Sequence, residues 1–158
     1  MARIHPGRFT AQIEGEFVVF VIGARINKLW KIHRWLPVVR AMGPMLVELT
    51  AHPDKGMLGA RTMVAGRTVT VIQYWRSFEQ LERFARSADE LHLSAWRRFN
   101  QAVGTGGDVG IYHETFQVAP GGFECIYNNM PVYGLAAAGD HVPIGPRAES
   151  ARQRITQP

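Results

Sequence analysis

The chain has one cysteine in 158 residues, Cys125, which excludes an internal disulfide and a thiolate metal cluster. Between Glu124 and Ile126, it reads as an inert, partly buried thiol. Long apolar runs are missing too. The longest, Phe17 to Ile22, is strand length and far short of the roughly 20 residues of a membrane helix. The N-terminus MARIHPGRFT lacks the apolar core of a signal peptide, so a cytoplasmic location is expected. There is no phosphate loop, no HExxH pair and no nucleophile elbow. Gly104, Gly106 and Gly107 follow a helical segment and precede a strand, the reverse of the order that phosphate binding at a helix N-terminus needs. His5, His33, His52 and His141 are scattered, with no spacing that argues for zinc, and no metal is expected.

A concentrated basic patch is also lacking. The net charge is +5, but the densest pairs, Arg97 with Arg98 and Arg83 with Arg86, lie beside Glu79, Glu82, Asp89 and Glu90 on helical patterns. That arrangement describes a solvated helix face, and no nucleic-acid partner is expected.

What is present is a core. Hydrophobic residues make up 46% and charged residues 20%, the composition of one globular domain. Glu16 to Arg25 is apolar on both parities, as a central strand covered on both faces would be. Asn27 suits a helix N-cap, and Leu29, Ile32, Leu36 and Val39 follow at helical spacing. Pro37 is expected to kink or interrupt that helix, and Gly43–Pro44 either to end it or to precede a second short one. Strands are expected over 57–64 and 68–75, joined by a tight turn at Gly66. Ser77 and Gln80 form a capping box for a helix to about Arg86, and a second helical segment runs from about 90 to 103. A strictly alternating strand occupies 109–118, and one more short strand 123–128.

Strand, helix, strand, strand, helix, strand is the ferredoxin-like βαββαβ order. It predicts an α+β fold, an antiparallel sheet with helices on one face. Three parts follow: an N-terminal arm at 1–15, a single domain at 16–144 and a flexible tail at 145–158. The second sheet face needs cover, and a homodimer with facing sheets would supply it.

Few residues stand out for chemistry. His92, Trp96, Phe99 and Val103 share one stripe of the second helical segment. His92 is either a stripe-edge histidine bonded to a carbonyl or an imidazole pointing into a pocket as base, orienter or ligand. On the last strand His113 shares a face with Val109, Ile111, Thr115 and Gln117, while Glu114 faces the other way with Tyr112 and Phe116. Tyr127, Asn128 and Asn129 crowd a phenol and two amides before Met130 and Pro131. This stretch reads either as a pocket-lining loop or as a turn that exploits the left-handed tolerance of Asn.

Several stretches carry a family likeness: Trp35–Leu36–Pro37, Leu58–Gly59, Gln73–Tyr74–Trp75–Arg76, His92 to Phe99, Val109 to Thr115 and Tyr127 to Pro131. On these, 16–135 resembles the group related to the fumagillin-pathway monooxygenase, within the dimeric α/β-barrel superfamily that includes the antibiotic-biosynthesis monooxygenases. The resemblance implies a pocket between sheet and helices in each subunit, and cofactor-free oxygenation of a small, apolar, enolisable substrate. The candidates it brings forward are His92 or His113 as base, Tyr127 or Asn128 as oxyanion donor, and Trp75, Trp96, Phe99 and Met130 as walls. The same superfamily includes haem-degrading monooxygenases, aldoxime dehydratases and chlorite dismutases, which makes haem on His92 the alternative. A non-enzymatic dimeric binding module is the third reading.

Overall fold

The computed structural model describes residues 2–86, 101 and 103–155. His92, Trp96 and Phe99 of the second helical segment lie outside the described residues, which include only its 101 and 103.

The centre is a four-stranded antiparallel sheet in the order β3-β4-β2-β5. Its strands are β2 (Phe17–Ile26), β3 (Met57–Ala65), β4 (Thr68–Trp75) and β5 (Val109–Val118). β2 lies between β4 and β5, and its apolar parities divide between two layers. Val18 packs with Trp75, Leu49 and Leu81. Phe17 packs on the opposite face with Tyr74, Ala11, Leu135 and Ala136. The burial of Phe17, which is 1% exposed, is worth roughly 2–3 kcal/mol. The hairpin between β3 and β4 turns at Gly66, whose φ of +57° glycine tolerates at little steric cost.

Helix α1 (Ile32–Ala51) runs unbroken with Pro37 and Pro44 inside it, so neither proline interrupts it and Gly43–Pro44 does not end it. Each proline removes a hydrogen bond and crowds the preceding turn, at about 3 kcal/mol. Val38 and Leu49, both sealed against the sheet, offset that loss through packing. The buried stripe is also out of phase with the expected one: Leu29 and Ile32 are exposed. Nor does Asn27 cap the helix. Its side chain accepts from Arg25 and donates to the Gly107 carbonyl, tying the start of α1 to the start of β5. Asp108 reinforces that tie, with Lys28 Nζ at 2.7 Å and Lys31 Nζ at 2.9 Å.

Helix α2 (Phe78–Arg86) begins as expected, with the Gln80 amide donating to Ser77 Oγ at 3.3 Å. The reciprocal half of the box is missing. Gln80 Oε1 turns towards Gly56, where it is buried with no hydrogen-bond partner.

The ends of the chain build a second layer. β1 (His5–Gln12) lies between β6 (Tyr127–Met130) and β7 (Asp140–Pro143) in a three-stranded antiparallel sheet. With α3 (Leu135–Ala138), this sheet packs over Phe17, Val19, Ile72 and Tyr74, covering part of the face opposite the helices. The stretch expected to be an arm therefore contributes β1. The stretch expected to be a flexible tail carries α4 (Ala151–Ile155), held by an Arg154–Glu124 ion pair. The rest of this sheet face is open, with Tyr112, Met63 and Phe116 exposed.

Candidate functional site

His113 stands on the helix-bearing face of the sheet. Its register partner Ile22 pairs in turn with Val71, and Phe20 and Gln73 pair one pleat further on. The imidazole is exposed, its ring centroid 5.8 Å from that of Phe20 at an interplanar angle of 43°. An accessible imidazole beside an apolar ring is a setting in which a base can reach an apolar substrate. Glu114 is on the opposite face, as the strand alternation requires.

Trp75 does not wall an accessible pocket. It is 0% exposed, sealed among Val18, Leu49 and Leu81, and its indole Nε1 donates to Gln73 Oε1 at 2.8 Å. Trp75 is a core residue because the C-terminal end of β4 runs under both α1 and α2.

The cluster from Tyr127 to Met130 forms β6, so the short strand expected at 123–128 lies further along the chain. Asn128 is exposed and pairs with Arg8. Asn129 has a φ of +54°, and its side-chain oxygen accepts from the Gly7 amide at 2.9 Å, so its geometry fastens β1. Met130 is paired with His5 at the other end of the strand. Tyr127 turns inward, and its hydroxyl accepts from the Ala136 amide at 3.3 Å. Burial, then the Cys125 thiol, push the Tyr127 phenol up to about 12. The main sheet separates His113 from Tyr127, so these two are not brought together within a subunit, while His92, the other candidate base, lies outside the described residues.

The Cys125 sulfur accepts from the Ala11 amide at 3.2 Å, a packing role consistent with the inert reading. A cavity of about 380 Å³ is lined by none of the expected site residues among the described ones. It lies between the end of β1, the turn at Pro120–Gly121 and Arg154.

Sequence reasoning missed one polar group on the face opposite the helices. Arg61 on β3 places its guanidinium 4.6 Å from the Tyr133 ring centroid, and its Nε is buried with no hydrogen-bond partner. A Cβ at Gly134 would lie 3.3 Å from Tyr127 Oη, 3.5 Å from Arg61 Nη1 and 3.6 Å from Tyr74 Oη. The signal was an arginine that shares its strand face with Gly59 and Met63, opposite Tyr74 and Ile72.

This fold and face arrangement define a ferredoxin-like α+β unit with α1 and α2 on one side of its main sheet. The chain belongs to the Monooxygenase af470-like family, whose model matches residues 17–135. It is 28% identical over 151 residues to the Aspergillus fumigatus protein named monooxygenase af470, an alignment covering 82% of this chain and 53% of that protein. The chain thus spans about half the length of the curated relative it matches. Two solved structures share the fold. An aldoxime dehydratase in complex with butyraldoxime matches with a TM-score of 0.67 at 17% identity, over 85% of this chain and 42% of that one. A second aldoxime dehydratase matches at 0.66 and 18% identity, over 85% and 43%.

Proposed function

We propose that this chain acts as a monooxygenase-like enzyme on a small, apolar, enolisable molecule of secondary metabolism, as a homodimer in the cytoplasm. Family membership and the name of the curated relative support the reaction class. The observation that carries the site is His113, an accessible imidazole beside Phe20 on the helix-bearing face. His113 takes the acidic C–H proton, and the carbanion passes an electron to O₂. Recombination at the same CH₂ carbon gives a peroxide anion, which takes the proton back from the imidazolium, and loss of the second hydrogen as water leaves a carbonyl. The substrate supplies the electrons, so no external reductant is needed. His92, outside the described residues, is the second candidate base.

The exposed Tyr112, Phe116 and Met63 support a homodimer through the open sheet face. Among the described residues no helix is long and apolar enough to cross a membrane.

Oxygen uptake across enolisable aromatic and terpenoid ketones tests the reading. Uptake with at least one substrate is expected, falling to background in His113→Ala or His92→Ala. Background uptake throughout, with a ligand-dependent rise in melting temperature, would instead identify a binding module.

Haem is the second reading, favoured by the fold shared with two aldoxime dehydratases. His92, the expected axial ligand, lies outside the described residues; on the described part of this face His113 offers one imidazole beside Phe20, which would also fit a single axial ligand. Bound haem would supply the redox or Lewis-acid chemistry, leaving the chain to ligate it and exclude water. A Soret band after haem supplementation, lost in His113→Ala or His92→Ala, would establish this reading, and its absence would remove it.

A further inference from the structure

We infer that one end of the main sheet docks on an anionic lipid surface, with Trp30 and its apolar neighbours set into the head-group region. Register places three segments at that end: the loop after β2, the hairpin tip between β3 and β4, and the start of β5. Arg25 pairs with Thr68 and Gly110, Thr68 pairs with Ala65, and the Ile26 amide donates to the Arg67 carbonyl.

Two properties coincide there. The first is exposed apolar bulk. Trp30 is 74% exposed, Val64 73%, Ile32 54% and Leu29 46%. A single exposed apolar residue is ordinary, but Leu29, Trp30 and Ile32 together at the tip of one loop mark an interaction surface. The loop is braced in that pose. The amides of Asn27 and Lys28 donate to the Asp108 carbonyl, that of Lys31 to the Lys28 carbonyl, and the Trp35 indole to the Leu29 carbonyl at 2.9 Å.

The second property is charge of one sign. No Asp or Glu occurs between Glu16 and Glu48, a stretch that carries Arg25, Lys28, Lys31, Arg34 and Arg40. Arg67 joins the first four of these from the hairpin tip. Among the described residues the carboxylate at this end is Asp108, and it is tied to Lys28 and Lys31. The sequence spreads these cations over separate segments, so the basic surface forms only on folding.

Apolar side chains ringed by cations match the interface of an anionic bilayer. The indole and hydrocarbon stems lie at head-group level, while the guanidinium and ammonium groups face lipid phosphates. A second copy of this end fits poorly, because like charges would oppose one another. Nucleic acid fits poorly as well, because Leu29, Ile32 and Val64 have no π-face on which a base stacks.

Flotation of the whole chain with vesicles of equimolar phosphatidylglycerol and phosphatidylcholine, and of phosphatidylcholine alone, tests the surface. Binding to the anionic vesicles is expected, with little to the neutral ones. It should fall as salt rises from about 0.1 M to about 1 M, which shortens the screening length from about 10 Å to about 3 Å. Trp30→Ala should lower the partition coefficient about tenfold or more, the loss of one large inserted side chain. Arg34→Gln should lower it about fivefold. Both residues are exposed, so circular dichroism should match the parent's, and Val64→Ser on the separate hairpin tip serves if either variant misfolds. No binding to anionic vesicles, equal binding to neutral ones, or unchanged partition in Trp30→Ala and Val64→Ser overturns the proposal. Lipid-free oligomers that Trp30→Ala dissociates would assign this end to contact between copies and overturn it too. Salt-sensitive capture of a single-stranded oligonucleotide without vesicle binding would do the same.

Discussion

Tyr112 on β5 hydrogen-bonds Thr70 on β4, with 2.6 Å between their hydroxyl oxygens, although β2 runs between the two strands. The phenol crosses β2 at Gly23, the register partner of both residues, where a Cβ would lie 2.5 Å from the ring. Gly23→Ala should therefore cost about 1–3 kcal/mol through overpacking in denaturant unfolding. Adding Tyr112→Ala should recover most of that loss. A stable Gly23→Ala single variant would mean that the ring moves aside freely.

Trp75→Ala should cost roughly 3–5 kcal/mol, because the indole is fully enclosed and collapse around it is limited. The substitution also removes the donor that satisfies the buried Gln73 oxygen. A loss below about 1 kcal/mol in chemical denaturation would contradict the enclosed packing.

His113→Ala should leave the fold intact, with a stability change within about 0.5 kcal/mol, because the ring is exposed. Unchanged circular dichroism and an unchanged melting temperature are the expected results. A large loss would give His113 a structural role.

Acid should destabilise the protein in two windows. Hydrogen bonds from Lys28, then Lys31, hold the Asp108 carboxyl at about 2 against an ordinary 3.8. A lowered carboxyl favours the fold above the unfolded value, so its contribution is lost as pH falls from about 4 to about 2. Asp108→Asn should flatten that step of a stability profile. His141 is lowered from 6.5, first by burial and then by His5. Protonation favours the unfolded chain, so stability should decline below about pH 6.5, and His141→Phe should remove that decline. A profile identical to the parent's in both variants would contradict these assignments.

Arg154 fastens the C-terminal segment to the body. It pairs with Glu124 and donates to the carbonyls of Ala148 at 2.9 Å and Glu149 at 2.8 Å. Arg154→Ala should expose residues 145–155 to limited proteolysis and cost about 1–3 kcal/mol. Cleavage at the parent rate would remove the anchoring role.

The architecture was legible because local patterns and burial agreed. The doubled apolar parity of Phe17 and Val18, the alternation around His113 and Glu114, and the turn at Gly66 each specify a strand and its faces before any partner is known. Pro37 and Pro44 suggested an interruption because propensity is local, whereas the packing of Val38 and Leu49 along a continuous α1 is not. Asn128 lies in a strand as expected, shifted to 127–130, and Asn129 adopts the left-handed backbone that its residue type tolerates, opposite an irregularity in β1.

The order and alternation of residues, by themselves, determined which strands and helices form around the main sheet, and which side of β5 carries His113. Only the tertiary structure decided that the two ends of the chain meet in a second sheet, that Trp75 is sealed, and that Arg61 meets Tyr74 and Tyr127 at Gly134. Alternation is a short-range property of the backbone. Convergence of groups from distant strands depends on register and layer packing, which no single segment encodes.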